Sequence, residues 1–358
     1  MFKPTQVSCI FLIIMTILIL STSISYSTAE SKGQLVAVQM KLNIEDFYSQ
    51  QDFTKKIENL MEEVATKTNS DLPALVVFPE DIGLMLIAQK NKETLSTVHT
   101  IEEAIKKMTM KHLLPLAWYR IRYNLSWVPA LYYYYNKEIA RTYFDTFSNL
   151  AKKYRMYIVA GSVPLPHYEI SQGEVLYQEG PLSPEIYNTS YLFDPAGKVV
   201  GYQDKVHLLE LEQEGGLHLT AGNIEDIKVF DTTLGKIGIA VCLDSFKEDV
   251  INRLREQDAE ILIQPSANPV LWEKWQQEEW LESSYKFTRE LQYFKYAINP
   301  MMNGEFFDLS FYGQSSIISR ENNDNLKNYF DLEPQNGFLV ISESADREEI
   351  LVAEIVLP

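Results

Sequence analysis

From Gln34 onward, short runs of β-favouring residues alternate with segments whose apolar side chains recur at helical spacing. Residues 35–40 and 74–78 have the composition of buried strands. The segment between them carries apolar residues on one helical face: Phe53, Ile57, Leu60, Met61 and Val64. This alternation predicts an α/β fold built in layers.

The second half of the chain continues the alternation and adds two predicted hairpins. Asp194-Pro-Ala-Gly197 is a turn between two strand-like runs, and Leu234-Gly235 separates another pair. The further predicted strands are 157–162, 187–193, 198–202, 227–230, 236–241, 261–264 and short runs near Ala297, Ser315, Phe338 and Ile350. Helices are predicted around 250–255 and over 272–296.

One segment, residues 84–147, has no strand pattern and is predicted to be a helical insertion. Residues 112–147 contain 11 aromatic residues in 36, against 12% for the whole chain. One interpretation is an extra helical layer whose rings pack on the core. The other is a lid or pocket wall over a functional site, in contact with a membrane surface or an apolar substrate.

The N-terminus has the pattern of an export signal. Lys3 supplies positive charge, residues 9–20 are almost wholly apolar, and Ser27-Thr28-Ala29 offers a small-residue cleavage site. The sequence therefore predicts a signal peptide over residues 1–29, with an uncleaved membrane anchor as the alternative. Residues 30–358 are predicted to form one domain, located outside the cytoplasm as a secreted or periplasmic protein.

The charge balance excludes one class of partner. Residues 30–358 hold 31 Lys and Arg against 49 Asp and Glu, a net charge of -18. Such a surface repels phosphate backbones, so we expect no nucleic-acid binding. A hydrophobic content of 46% is that of an ordinary globular protein with a large core.

Cys242 is the one cysteine beyond the N-terminal apolar run, which contains Cys9. No disulfide within the domain is therefore available. Cys242 follows the predicted strand 236–241 and precedes a polar helical stretch, which predicts an exposed thiol at a strand-to-helix turn. Helix amides at such a turn favour the thiolate, the nucleophilic form. The alternative is a small, buried structural residue.

Two further polar residues lie at the ends of predicted strands. Glu80 follows Ala74-Leu-Val-Val-Phe-Pro79, and Lys205 lies within Gly201-Tyr-Gln-Asp-Lys-Val-His-Leu208. Together with Gly238-Ile-Ala-Val-Cys-Leu-Asp244, these motifs resemble the nitrilase, or carbon–nitrogen hydrolase, superfamily. The resemblance covers nearly all of the chain after residue 34. It extends to Asp194-Pro-Ala-Gly-Lys-Val-Val-Gly201, Phe311-Tyr-Gly-Gln-Ser315 and the terminal Glu349-Ile-Leu-Val-Ala-Glu-Ile355.

The resemblance implies a four-layer α-β-β-α sandwich and a catalytic set of Glu80, Lys205 and Cys242. Cys242 would attack a carbonyl carbon to form a thioester, with Glu80 as general base and acid. Lys205 and the backbone N–H of Leu243 would stabilise the oxyanion. Members of the family carry a second glutamate after the lysine, for which Glu212 fits best and Glu210 and Glu214 are alternatives.

The resemblance also bears on the remaining titratable residues and on assembly. His207 is expected to support the loop instead of acting as a base, because Lys-x-His-Leu recurs in this family. The other histidines have no metal-binding spacing, so we expect no metal and no cofactor. A homodimer is expected.

The residues after the nucleophile, Leu243-Asp244, favour the amidase-type branch over true nitrilases. The expected substrate is a small non-peptide amide, cleaved to a carboxylic acid and ammonia or an amine. An N-acyltransferase using the same thioester, a nitrilase, and a silent binding protein remain alternatives. Asn124-Leu-Ser126 and Asn188-Thr-Ser190 match glycosylation acceptors, although such short matches arise readily by chance.

Overall fold

A computed structural model describes residues 31–322 and 326–358. The predicted export signal, residues 1–29, lies outside the described residues. Eighteen strands form within the described part of the chain. They are β1 (Lys32–Asn43), β2 (Ala74–Val77), β3 (Tyr157–Val159), β4 (Val163–Leu165), β5 (Ile170–Ser171), β6 (Glu174–Val175), β7 (Tyr187–Phe193), β8 (Val199–Asp204), β9 (Val229–Thr232), β10 (Gly235–Ile239), β11 (Ile261–Ile263), β12 (Ser266–Ala267), β13 (Tyr296–Asn299), β14 (Met301–Phe306), β15 (Leu309–Phe311), β16 (Ser316–Ser319), β17 (Phe338–Ile341) and β18 (Glu349–Val356).

Helices occupy most of the intervening segments. They are α1 (Gln50–Lys67), α2 (Lys92–Leu95), α3 (Ile101–Lys111), α4 (Leu113–Tyr123), α5 (Trp127–Tyr154), α6 (Glu248–Glu256), α7 (Lys274–Trp280) and α8 (Leu281–Glu290), the last of π type. Short 3-10 turns cover Ile44–Phe47, Leu84–Ala88, Glu210–Glu212, Ile224–Asp226 and Cys242–Phe246.

Two large sheets form the centre of the fold. The first has ten strands, with the order β12-β14-β1-β2-β3-β7-β4 and with β15, β18 and β8 paired to β14, β1 and β7. The second has six strands in the order β17-β16-β13-β11-β10-β9. The pair β5-β6 stands apart from both. The predicted hairpins β7-β8 and β9-β10 are both present as antiparallel pairs.

Alternation along β1 shows how the sheets stack. Leu35 and Ala37 pack in a cluster with Ile237 and Ile261 of the second sheet. Val36 and Val38 point the other way and belong to a cluster with the helices. Successive side chains of a strand point to opposite faces, so each sheet has one face on the other sheet and one under helices. The observed architecture is therefore the expected four-layer α-β-β-α sandwich.

The outer layers follow from the amphipathic helices. In α1, the five apolar residues predicted to share one face are all buried against the first sheet. Ser49 caps this helix by accepting a hydrogen bond from the backbone N–H of Asp52. On the other side, α6 covers the second sheet through Val250, Ile251 and Leu254.

The segment 84–147 is helical, as its lack of a strand pattern predicts, but it divides into two parts. The second half of α5 belongs to the layer over the first sheet, where Tyr143 and Phe147 are fully buried. The hydroxyl of Tyr143 donates to the carbonyl of Ala160 at 2.8 Å. Helices α3 and α4 instead pack on the first half of α5. None of the helices in residues 31–322 and 326–358 combines the length and apolarity needed to cross a bilayer.

The single long helix predicted over 272–296 is wrong. The helix changes type at Leu281, Ser283 has non-helical dihedral angles, and the last helical residue is Glu290. The hydroxyl of Ser283 donates to the carbonyl of Trp280 at 2.7 Å, and the side chain of Gln264 accepts from the backbone N–H of Ser284. These side-chain bonds compete with the regular helical pattern, which the apolar spacing alone does not reveal.

Candidate active site

The three residues singled out in the sequence lie just beyond the ends of strands. Glu80 follows β2, Lys205 directly follows β8, and Cys242 follows β10. All three side chains are almost completely buried, with exposed fractions of 1%, 1% and 4%. The fold thus brings together residues separated by up to 162 positions (242 minus 80) in the sequence.

The loop that carries Glu80 is fixed by the loop after β3. The backbone N–H of Phe78 donates to the carbonyl of Val159, and that of Asp81 donates to the hydroxyl of Ser162. Gly161 adopts a φ of +60°, and a Cβ atom there would lie 2.0 Å from the carbonyl oxygen of Pro79. A residue with a side chain would therefore displace the backbone next to Glu80.

Cys242 begins a 3-10 turn directly after the β10 segment. Its φ of +48° is in the left-handed region, which non-glycine residues rarely adopt. The backbone N–H of Cys242 donates to the carbonyl of Pro265 at 2.9 Å, which helps to hold this conformation. Strain of this kind costs about 1–3 kcal/mol and is common where a reactive side chain must be aimed into a site. Leu243 follows in the same 3-10 turn.

Lys205 is held between two buried carboxylates. Its Nζ lies 2.7 Å from Oε1 of Glu80 and 2.6 Å from Oε2 of Glu212. Glu212 is 5% exposed, whereas the two alternatives for this position, Glu210 and Glu214, are exposed. Among these three glutamates, Glu212 is the one in contact with Lys205.

Asn188 belongs to this cluster, although the motifs gave no reason to include it. Its Nδ2 donates to Oε1 of Glu80 at 3.1 Å and to Oε1 of Glu212 at 2.9 Å. The residue is fully buried in β7, so the glycosylation match at Asn188 is wrong for the folded protein. The available signal was a polar residue in a strand of mostly aromatic and apolar residues, beside the strand that leads to Lys205.

The backbone of Ala267 touches two of the site residues. Its N–H donates to Oε2 of Glu80 at 3.1 Å, and its carbonyl accepts a contact from the Cys242 thiol at 4.0 Å. Ala267 lies in β12, where the chain passes from the second sheet to the first. These contacts are made by backbone atoms and require no particular side chain at position 267. The sequence therefore does not reveal them.

The protonation states follow from burial and from the neighbouring charges. Burial raises the pKa of Glu80, and the charge of Glu212 adds to this, while the ammonium of Lys205 opposes it. Burial alone would lower the pKa of Lys205, but the neighbouring carboxylates, Glu80 above all and then Glu212, raise that pKa well above its usual range. Lys205 is therefore a permanent cation in the site.

The expectation of an exposed thiol with a favoured thiolate is wrong for this structure. Burial raises the pKa of Cys242 well above its usual value, and the negative charge of Glu80 raises it further. Lys205 lowers this pKa, as expected for a nearby cation, but does not outweigh the other two causes. The thiol is neutral at rest, and the Glu80 carboxylate bonds the backbone of the same residue, Ala267, that the thiol contacts.

Asp244 anchors the segment that follows Lys205. Its carboxylate accepts hydrogen bonds from the backbone N–H groups of Val206 at 2.9 Å and His207 at 2.7 Å. Burial raises the pKa of Asp244 to about 7, although these two hydrogen bonds oppose the shift. The imidazole of His207 lies 3.0 Å from Asp249. This contact supports the loop and fits the expected structural role of His207.

A cavity of about 230 Å³ is lined in part by residues close in sequence to Glu80 and Glu212, although neither of these side chains, nor Lys205 or Cys242, lines it. Leu84 and Leu211 contribute to its wall, four residues after Glu80 and one residue before Glu212 respectively. Helices α3 and α5 supply most of the other lining side chains, which are largely apolar. Within the described residues, no group of three or more His, Cys, Asp or Glu side chains is arranged to hold a metal ion.

The arrangement has the parts needed for acyl transfer to a thiol. A neutral thiol and a carboxylate base both contact the backbone of Ala267, and a buried cation lies beside that base. Comparison with known proteins agrees with this chemistry. The carbon–nitrogen hydrolase family profile matches residues 35–322. An omega-amidase from Saccharomyces cerevisiae is 29% identical over 124 residues, which is 34% of this chain and 38% of that protein. The chain thus aligns with about two fifths of that relative.

Solved structures support the fold. A carbon–nitrogen hydrolase from Helicobacter pylori G27 matches with a TM-score of 0.56 and 19% identity, covering 90% of this chain and 89% of that one. A point mutant of the amidase from Nesterenkonia sp. AN1, with acrylamide added at its active-site cysteine, matches with a TM-score of 0.52 and 14% identity. That match covers 89% of this chain and 92% of the amidase. At these identities the likeness concerns the fold.

Proposed function

The chain belongs to the carbon–nitrogen hydrolase family, and from this premise we propose that it is a thiol-dependent amidase. Its substrate is a small non-peptide amide, and its products are a carboxylic acid and ammonia or an amine. Glu80, Lys205 and Cys242 are the proposed catalytic residues, and Glu212 is a positioning residue that acts through Lys205.

The first half of the reaction acylates the thiol. Glu80 takes the proton of Cys242 as the sulfur attacks the carbonyl carbon, which gives a tetrahedral intermediate with a negatively charged oxygen. The ammonium of Lys205 and the N–H of Leu243 stabilise that oxygen. The carbon–nitrogen bond then breaks, Glu80 returns its proton to the leaving nitrogen, and a thioester remains on Cys242.

The second half removes the acyl group. Glu80, again a carboxylate, takes a proton from a water molecule that attacks the thioester carbonyl. The tetrahedral intermediate collapses, the carbon–sulfur bond breaks, and the sulfur regains a proton from Glu80. The carboxylic acid leaves, and the enzyme returns to its resting protonation state.

The arrangement of Glu80 carries this proposal: its carboxylate pairs with Lys205 at 2.7 Å and accepts from the N–H of Ala267, whose carbonyl lies 4.0 Å from the Cys242 sulfur. Because the thiol pKa is raised well above its usual value, a thiolate at rest contributes little at neutral pH. The mechanism therefore needs a base that acts during the attack. Glu80, whose pKa is also raised, is matched to that task.

The test measures ammonia release from a series of primary amides. Cys242→Ala is expected to lose turnover by about 1,000-fold or more, because the covalent route is removed. Ser245→Ala is the matched control, since Ser245 lies in the same turn and its hydroxyl bonds the carbonyl of Ala240, away from the three catalytic side chains. Unchanged ammonia release by Cys242→Ala would disprove the thioester mechanism.

An N-acyltransferase is the second candidate, because the same thioester can pass its acyl group to an amine. Exclusion of water from the thioester by the helical insertion, residues 84–147, would favour the transferase, because water competes with the amine for the acyl group. Incubation with an amide and hydroxylamine separates the two activities, since hydroxamate forms in both but free acid accumulates only with hydrolysis. Complete absence of free acid would replace the amidase assignment with the transferase.

A narrower proposal on the substrate is that its acyl chain extends past Leu84 and Leu211 into the apolar cavity. A cavity of about 150 Å³ with apolar walls is large enough for a benzene ring, so one of about 230 Å³ accommodates a short alkyl chain or a ring. We expect kcat/KM to rise with the length of the acyl chain until the cavity is filled. Leu211→Asp should remove that dependence, and a flat series in the unaltered enzyme would refute the role of the cavity.

A further inference from the structure

Helix α4 exposes a row of large apolar side chains. Leu114, Trp118 and Ile121 have exposed fractions of 83%, 56% and 86%, and Met110 at the end of α3 has 63%. Residues three and four apart lie on one face of a helix, so Leu114, Trp118 and Ile121 form a single stripe. Isolated exposed apolar residues are common in proteins, whereas a contiguous row of this size marks an interaction surface.

The opposite face of α4 packs against the rest of the protein. The helix is therefore docked, and only the stripe is exposed. Leu116 is fully buried in the main core cluster. The guanidinium of Arg120 lies 4.0 Å from the ring centre of Trp127, and its Nε donates to the carbonyl of Leu125. The helix is therefore anchored on one side and presents the stripe on the other.

The charge around the stripe differs in sign from that of the chain. Residues 104–137 contain no Asp or Glu and six basic residues, whereas the whole chain has a net charge of -17. The basic residues are Lys106, Lys107, Lys111, Arg120, Arg122 and Lys137. The negative net charge of the whole chain argues against phosphate-rich partners, but residues 104–137 carry the opposite charge.

Aromatic rings border the stripe as well. The ring of Trp118 contacts those of Tyr119 and Tyr123, with centres 5.1 and 6.1 Å away. Trp and Tyr are enriched where a protein meets the boundary between lipid headgroups and acyl chains. A helix with one apolar face, basic residues and Trp is the pattern of an element that lies in the plane of a membrane interface.

We propose that the α4 stripe, Leu114, Trp118 and Ile121, docks the protein onto the surface of an anionic lipid bilayer. The apolar side chains enter the headgroup region, and basic side chains such as Lys106 and Arg122 attract the anionic headgroups. A second copy of the chain is the less suitable occupant. Two such faces brought together would place like charges of this basic segment opposite one another.

The first experiment uses Trp118 as a local probe in the full-length protein. Its fluorescence is measured with phosphatidylcholine vesicles containing brominated acyl chains, with and without phosphatidylserine. We expect quenching that requires phosphatidylserine, weakens with added salt, and is lost in Trp118→Phe. Because the chain has five tryptophans, the Trp118 signal is taken as the difference between the unaltered protein and Trp118→Phe, and attachment through any other segment leaves this difference unquenched. That result would overturn the proposal.

The second experiment compares variants by vesicle flotation. Leu114→Ser/Ile121→Ser and Lys106→Glu/Arg122→Glu are each expected to weaken anionic-vesicle partitioning by roughly tenfold or more. The control is Leu182→Ser, which removes a side chain that is 67% exposed outside the insertion. Thermal unfolding confirms that each variant is folded. Equal partitioning by all variants contradicts the proposal, as does a concentration-dependent dimer, seen by light scattering, that the stripe variants abolish.

Discussion

The site and the α4 stripe depart from the usual distribution of side chains in opposite directions. The site buries charge: Glu80, Lys205 and Glu212 are at most 5% exposed. The stripe exposes apolar surface, with Leu114 and Ile121 more than 80% exposed. Both arrangements carry a free-energy cost relative to an ordinary core and an ordinary surface.

The two regions differ in what offsets this free-energy cost. In the site the offset comes from the chain itself, because Lys205 contacts both carboxylates and Asn188 donates to each of them. At the stripe, the described residues leave Leu114 and Ile121 facing outward. The stability of the protein should therefore suffer when any one member of the buried cluster is replaced. Substitutions in the exposed stripe should leave stability unchanged and weaken only the binding of its partner.

The largest effect should come from Glu80→Gln. The amide keeps the shape of the side chain and its contact distances but has no basic oxygen, so the thiol loses its proton acceptor. General base catalysis by one residue is worth about 100 to 10,000-fold, and we expect a loss of kcat/KM in that range. Steady-state kinetics on a primary amide measure it.

Glu210→Gln is the matched control, because Glu210 lies in the same turn as Glu212 but is exposed. It should leave the rate within a few fold. Equal losses in the two variants would mean that burial in the cluster has no bearing on catalysis.

Lys205→Met tests, through the free energy of unfolding, whether the lysine offsets the cost of burying the two carboxylates. Methionine fills a similar volume but leaves two buried carboxylates without their cation, a change that typically costs about 3–5 kcal/mol. Denaturant unfolding should show this loss near neutral pH and a smaller loss in acid, since protonation of the carboxylates removes their repulsion.

A surface ion pair provides the contrast to Lys205. Lys153 pairs with Glu58, and both side chains are about half exposed. Lys153→Met should leave the free energy of unfolding almost unchanged, because an exposed ion pair contributes little to stability. If the two substitutions cost the same, the distinction between a buried cluster and a surface pair does not hold in this protein.

Asn188→Leu should change the pH dependence as well as the rate. Burial already raises the pKa of Glu80, so activity is expected to fall in acid at a pH above the usual carboxylate range. Removing the N–H that donates to the carboxylate destabilises the anion, which raises this pKa further. The acid limb of the kcat/KM profile should therefore move to higher pH, with a rate loss of about 10 to 100-fold near neutral pH.

Ser190→Ala provides the control in the same strand. Ser190 is fully buried, and its hydroxyl has no hydrogen-bond partner among the described residues. It should leave the acid limb in place. A limb that stays fixed in Asn188→Leu would show that this amide does not stabilise the Glu80 carboxylate.

The sequence was sufficient for the layered fold and for the meeting of Glu80, Lys205 and Cys242. Strand ends collect functional side chains at one edge of a sheet, and three motifs in a fixed order are strong evidence for a family. The spacing after Lys205 also favoured Glu212, the glutamate that contacts the lysine. The strand pattern needed only residue types and their positions along the chain, whereas the roles of the three residues and the choice of Glu212 came from the resemblance to the family.

The remaining features depend on three-dimensional contacts. The Ala267 peptide contacts Glu80 through its backbone, so its residue type carries no signal. The raised pKa of Cys242 results from complete burial, which placement at the end of a strand does not predict. Likewise, the helix break at Ser283 depends on Gln264, a residue 19 positions away.

The smallest effect is expected for Leu114→Ala, in contrast to a second leucine of the same helix, Leu116. Leu114 is 83% exposed and Leu116 is fully buried, although they are two residues apart in α4. Leu116→Ala removes buried apolar atoms and leaves a cavity, which costs about 2–5 kcal/mol. Leu114→Ala should change the free energy of unfolding by less than about 0.5 kcal/mol in the absence of lipid. A substantial loss for Leu114→Ala in solution would mean that the stripe is already covered by protein, and the bilayer would then be the wrong partner. A loss confined to Leu116→Ala would show that the chain tolerates an exposed stripe at Leu114 because its own fold does not depend on that side chain.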